Sequence, residues 1–383
     1  MRYLLILTSL LWISCNTKTE STSETGGLDF QRIAAKIISQ ADVQAGERVL
    51  IVTDPGRFDP LVDYLKEEIE ERDGQYLGVE SLGKSANPEW NTDFVMGLQN
   101  RAGEELANYM MEVDLGIMLP GPTPVDIVYD GMQNVLKSGK GRTIHFHWQG
   151  AYDLNGKLFE PDSAVDQFYQ RVLFDTDYKA LAEKQKQFEE AMRGKWIQVT
   201  TPAGTDIKFQ IGDRQVTKQD GNAALSHMKD ARTLIDREVE LPAGAIRVAP
   251  IEESVEGTIA FPDAQWNGQM ANGVVVTIAS GKITDVKADN NLEAVQAEME
   301  GGGAASQSFR EFALGFNPLL AIPDINPWIP YYGYGAGVVR LSLGDNTELG
   351  GNVTGGYVRW NFFTDATVKV GDEVWVENGK LIK

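Results

Sequence analysis

The sequence predicts two joined architectures: an N-terminal α/β domain built on a largely parallel sheet, then a C-terminal, mostly antiparallel β domain with a few helices. Three observations carry this. Apolar runs of β-forming residues alternate with amphipathic helical stretches through the first part of the chain. A long, charged, amphipathic helical segment ends at Gly194. Beyond it, short strands separated by turn residues replace the alternation.

In order, Phe30, Ile33, Ala34, Ile37 and Ile38 recur at helical spacing, and Val49-Leu50-Ile51-Val52 is a buried-strand run after the turn Ala45-Gly46-Glu47. Asp59 to Arg72 carries Leu61, Tyr64, Leu65 and Ile69 on one helical face. Leu115 to Leu119, closed by Pro120-Gly121-Pro122, and Thr143 to Trp148 are further strands. Tyr178 to Arg193 is the long helix, and its end sets the boundary between domains at residues 28–193 and 194–383. In the second domain the strand segments are Trp196–Thr200, Ile207–Ile211, Val274–Ile278, Gly281–Val286, Val338–Leu343, Tyr357–Phe362 and Val374–Val376, with a helix over Leu292–Met299. Gly301-Gly302-Gly303 reads as a mobile loop. Thr53-Asp54-Pro55-Gly56 after the first strand has neither G-x-G-x-x-G nor a Walker lysine, so nucleotide binding has no support.

The N-terminus reads as an export signal. Arg2 precedes the apolar stretch Tyr3 to Ile13, followed by Ser14-Cys15. The run is too short to span a bilayer as a mature helix. A cysteine directly after a small residue resembles a bacterial lipoprotein signal, with residues 1–15 as signal and Cys15 as the lipidated residue, although Trp12 stands where leucine is usual. The simpler alternative is a plain secretory signal with an incidental cysteine. Residues 16–27, NTKTESTSETGG, cannot bury a core and suit a flexible tether. The expected location is the bacterial cell envelope, outside the cytoplasm, with lipid as the only membrane contact. Cys15 is the sole cysteine, so internal disulfides and a thiol nucleophile are excluded. A net charge of -20 excludes nucleic acid as a partner by repulsion.

Five separated blocks carry a family resemblance: Thr201-Pro202-Ala203-Gly204-Thr205-Asp206; Leu241-Pro242-Ala243-Gly244 with Ser254-Val255-Glu256-Gly257-Thr258; Gly281-Lys282-Ile283; Glu311 to Pro318; and Gly337 to Asn346 with Gly350-Gly351-Asn352 and Arg359-Trp360-Asn361. The chain resembles the aminopeptidase T family of di-metal aminopeptidases from about Phe30 to Lys383. The resemblance implies a site in which two divalent metals, such as Zn or Co, activate a water, and pairing into a homodimer through the second domain. It places six functional positions at Ala245, Glu311, Gly335, Arg340, Arg359 and Asn361, and only Glu311 keeps the family residue. Arginine offers a metal no lone pair. The expectation is therefore a degenerate site without metal cofactor, in a protein that binds a small peptide-like ligand or a protein partner. The rival is an active metal-dependent aminopeptidase with a rearranged set, Glu311 with Asp345, Glu348 or Asp365.

Three readings of the arginines stay open: solvated strand residues, a pocket for an anionic group, or an ion-pair cluster in which Arg340 and Arg359 both face Glu311. His145 and His147 stand two apart on a strand and can share a transition metal, but lack an obvious third ligand. His227 has no companion. The aromatic loop Asn326 to Gly335 walls a cleft, plugs it, or packs at a subunit interface. No G-x-S-x-G or H-E-x-x-H motif occurs.

Overall fold

The computed structural model describes residues 27–83 and 87–383. The signal at residues 1–15, Cys15 and residues 16–26 of the expected tether lie outside them. The run Val49–Val52 explains the first layer arrangement. It lies in the strand Arg48–Thr53, an inner strand of a parallel sheet with Leu115–Met118 on one side and the edge strand Gln75–Ser81 on the other. Successive side chains point to opposite faces. Val49 and Ile51 pack with helices Phe30–Ala41 and Asp59–Glu70, while Leu50 and Val52 pack with Asp93–Gln99, Gly103–Met110 and Ile127–Lys137. A strand buried on both faces must be apolar throughout, which is what its sequence shows. Helix Phe30–Ala41 is held at its start by the Asp29 carboxylate, which accepts from the Arg32 backbone N–H at 3.0 Å.

The sheet continues through Arg142–His145, and its last strand is Glu238–Glu240. That strand comes from beyond the expected boundary at 193/194, so the break after the long helix, Tyr178–Met192, does not separate two closed units. One hydrophobic core runs from Ile33 through Tyr169 and Phe188 to Phe312 and Val376. Gln185 adds a polar tie: its buried amide donates to the Gln219 and Ala245 carbonyls.

Besides the hairpin of Ala264–Trp266 with Gln269–Ala271, the second half forms two antiparallel sheets. One has eight strands and uses both Ile197–Thr200 and the C-terminal strands Thr367–Val370 and Glu373–Glu377. The other has five, in the order Val358–Phe363, Val339–Gly344, Phe309–Gly315, Ala245–Val248, Thr217–Lys218. The fold is thus the mixed α/β and antiparallel β arrangement that the pattern predicts. Gly301-Gly302-Gly303 is not a loop. It joins helix Leu292–Gly301 to the helical turn Gly303–Ser306. The aromatic loop plugs the junction of the two halves: Ile329 and Tyr331 are fully buried, Ile329 bridges to Tyr152, and the Tyr332 N–H donates to the Gly150 carbonyl.

Candidate functional site

The five-stranded sheet carries the positions at which the resemblance expects a metal centre, and its register decides which of them meet. Residues directly opposite in an antiparallel ladder share a face. Arg340 lies opposite Ala313 and Phe362, and Arg247 lies opposite Ala313. Glu311 lies opposite Ser342 on the same face. There, Arg340 donates to Glu311 Oε1 at 2.7 Å, and Arg247 donates to Oε2 at 2.8 Å.

A third guanidinium arrives by an irregularity. Phe309 pairs with Leu343 and Glu311 with Ser342, so Arg310 is an extra residue in a bulge. Ordinary alternation would turn Arg310 away from its neighbour. The bulge instead brings it onto the Glu311 carboxylate, the Glu348 carboxylate and the Asp345 carbonyl. Glu348 also accepts from Arg247 at 2.7 Å. Trp360 covers the group, with the Arg340 guanidinium 4.5 Å from its ring centre. The Arg340 Nη1 donates to the Tyr332 carbonyl.

Glu311 is completely buried. Burial by itself would raise its carboxyl, but Arg247, Arg310 and Arg340 outweigh it and hold the group well below the usual carboxylate range. Its two oxygens accept five guanidinium contacts in all, which fills the lone-pair directions a carboxylate has.

Arg359 and Asn361 stand on the opposite face. Their ladder partners are Leu343 and Leu341, which face the core. Arg359 donates to Glu298 at 2.7 Å and stacks over Trp266, its guanidinium 3.3 Å from the ring centre. The expectation that both arginines converge on Glu311 therefore holds for Arg340 and fails for Arg359. A pair two residues apart that shared a site with position 340 would have to stand at Trp360 and Phe362, and neither offers a metal ligand. Arg359 and Asn361 instead line a cleft of about 520 Å³ at the free edge of the sheet, where the buried Asn361 Nδ2 has no hydrogen-bond partner among the described residues.

Ala245 is buried opposite Gly315, on the Glu311 face. Gly335 has no room for a side chain: a Cβ there would lie 2.0 Å from the Leu320 carbonyl oxygen. The rival acids are committed elsewhere or remote from one another. The Asp345 carboxylate accepts from the Thr347, Gly355 and Gly356 backbone N–H groups, Glu348 is shared by two arginines, and Asp365 is exposed in the turn after its strand. The residues present do not fit a di-metal centre. A dication brought to Glu311 would meet three guanidiniums, each repelling it by on the order of 4 kcal/mol per unit charge at 4 Å for an effective dielectric near 20.

On its outer side the cluster opens to a second cleft of about 570 Å³, where Arg310, Glu348 and Asp345 are joined by Lys137, Arg232 and Gln133. Lys137 and Arg232 are exposed and form no ion pair among the described residues. Sequence reasoning missed Arg247 and Arg310. Arg247 was within reach, because it follows Ala245 by two on a strand and so shares its face.

Two of the histidines lie at the C-terminal end of the parallel-sheet strand Arg142–His145. His145 is the last residue of its strand and is paired with Glu240; its Nδ1 is 3.1 Å from the His147 Nε2 and 3.3 Å from the Tyr129 hydroxyl. Burial, then His147, lowers the His145 pKa well below its ordinary value. Burial also pushes the neighbouring Glu238 carboxyl up to about 8, with Glu348 and Glu240 adding to it. His227 stands apart, 3.9 Å from Asp220.

No protein-family model and no curated protein sequence matches the chain. Solved structures do. A 2,5-dihydroxypyridine dioxygenase from Pseudomonas putida KT2440 superposes with a TM-score of 0.62 at 14% identity, over 92% of this chain and 96% of that one. Wild-type AmpT from Thermus thermophilus superposes with a TM-score of 0.60 at 14% identity, over 92% of this chain and 99% of that one. The fold is therefore aminopeptidase T-like.

Proposed function

We propose that this chain is a lipid-anchored binding protein of the bacterial cell envelope, built on the aminopeptidase T-like fold, with an arginine–carboxylate cluster where the family resemblance expects two metals. The saturation of both Glu311 oxygens by three guanidiniums carries the reading. The ligand is peptide-like and is held by its carboxylate. Lys137 and Arg232, without an ion-pair partner among the described residues and beside Arg310 in the second cleft, are the cations that would receive it. That the same fold appears in a dioxygenase and in AmpT supports arguing chemistry from the site and not from the scaffold. The homodimer implied by the resemblance belongs to the same proposal.

The test is titration with short peptides bearing a free or an amidated C-terminus, beside a peptidase assay with added Zn or Co. Binding should require the free carboxylate and weaken at least roughly tenfold in Lys137→Ala with Arg232→Ala, as expected for loss of charge-assisted contacts of about 1.5–3 kcal/mol. Metal-dependent turnover that disappears in Glu311→Gln would establish the aminopeptidase rival in its place.

A further inference from the structure

The parallel sheet and the aromatic loop bring together a set of donors that neither the cluster nor the clefts use. Register places Glu240 directly beside His145 across the last two strands. The chain then leaves its strand after His145, and His147 turns back so that its ring stands at 89° to that of His145, with centres 5.0 Å apart. One ligand atom from each of His145, His147 and Glu240 falls within 4.8 Å of the others. Four-coordinate zinc holds nitrogen and oxygen ligands at about 2.0–2.2 Å, so its ligand atoms lie roughly 3.3 Å apart. The two imidazole nitrogens, at 3.1 Å, are already at that spacing.

The surroundings orient these donors. The Tyr331 hydroxyl, fixed by donating to the Leu241 carbonyl at 2.8 Å, also contacts Glu240 Oε2 at 3.2 Å. The other nitrogen of His145, Nε2, lies 4.0 Å from Glu238 Oε1, beyond hydrogen-bond distance. A carboxyl group behind a ligating imidazole serves as an outer partner once it is within hydrogen-bond distance, which here needs Glu238 to close by roughly 1 Å. His145 is buried, whereas His147 and Glu240 are half-buried, so an ion can reach the group from solvent. Imidazole nitrogens select against calcium and magnesium, which prefer all-oxygen sites.

We propose that His145, His147 and Glu240 bind one divalent transition metal of the zinc class, at a site separate from the Glu311 cluster. This departs from the expectation of a protein without metal. It does not depend on the peptide-binding reading. Three protein ligands leave one position of a tetrahedral ion for water or an oxygen of a small molecule.

The experiment uses the full chain in detergent, free of affinity-tag histidines, stripped with a chelator and titrated with Zn²⁺, and with Co²⁺ for its visible absorption. Saturable uptake of one ion per chain is expected. It should weaken at least tenfold in His147→Ala and in Glu240→Gln and stay unchanged in Glu311→Gln. Glu240→Gln retains an oxygen for the Tyr331 hydroxyl, so it decides the matter if His147→Ala fails to fold. No saturable uptake, or uptake that both variants leave intact, would overturn the proposal and make the pair an imidazole–imidazole hydrogen bond. Uptake lost in Glu311→Gln but kept in the other two would also overturn it, and would return the metal to the arginine cluster.

Discussion

Glu311→Ala would leave Arg247 and Arg310 sharing Glu348 and buried Arg340 with no carboxylate partner among the described residues. Removing one partner of a buried ion pair costs about 3–5 kcal/mol. Chemical denaturation should show a loss of that order for Glu311→Ala. Arg340→Ala combined with it should cost less than the sum of the single changes, by about 0.5–3 kcal/mol, because the two residues touch. Arg359→Ala combined with Glu311→Ala should be additive within about 0.5 kcal/mol, since Arg359 serves Glu298 on the opposite face. Coupling of Glu311 to Arg359 as strong as to Arg340 would refute the face assignment. At this scale the Glu311–Arg340 contact was legible, because both positions lie in quoted motifs. Arg310 was not: its direction depends on a bulge, and a bulge leaves no mark in a hydrophobic pattern.

The strands themselves were easy to read. Val49–Val52, Val338–Leu343 and Tyr357–Phe362 each fall within a residue of the observed bounds, since apolar β-formers flanked by turns leave few alternatives. Register was not readable. A slip of one residue exchanges the faces of a strand, so matching a motif at 359 and 361 in place of 360 and 362 moves the pair from the site into the core side. In an Arg340→His background, Trp360→His with Phe362→Asp should therefore raise zinc affinity in a manner sensitive to Glu311→Gln. Arg359→His with Asn361→Asp in the same background should not. Isothermal titration of both sets distinguishes them, and equal gains would show that the face argument is wrong. The third ligand at Glu240 was hidden for a related reason: it lies 93 residues beyond His147 in sequence, and only strand order makes it a neighbour.

For the whole molecule, the proposed anchor and the body make separate predictions. Cys15→Ala should move the protein from the membrane fraction to the soluble one, or leave its precursor unprocessed, with the fold of residues 27–383 unchanged by circular dichroism. Membrane association that survives the change would remove the lipoprotein assignment. The division into two architectures was readable from the alternation of elements, but the point of division was not. A strand of three residues, Glu238–Glu240, is too short to stand out from its surroundings, yet it completes the first sheet. That strand also sets an order of events at birth. If the chain crosses a membrane N-terminus first, the edge of Arg142–His145 stays uncovered until residue 240 has emerged on the far side. Through that interval, nearly a hundred residues of travel at a typical synthesis rate of about 5–20 residues per second, an unpaired strand edge is open to whatever else can pair with it. The first sheet of this topology therefore reaches its full five strands only once more than half of the chain has emerged.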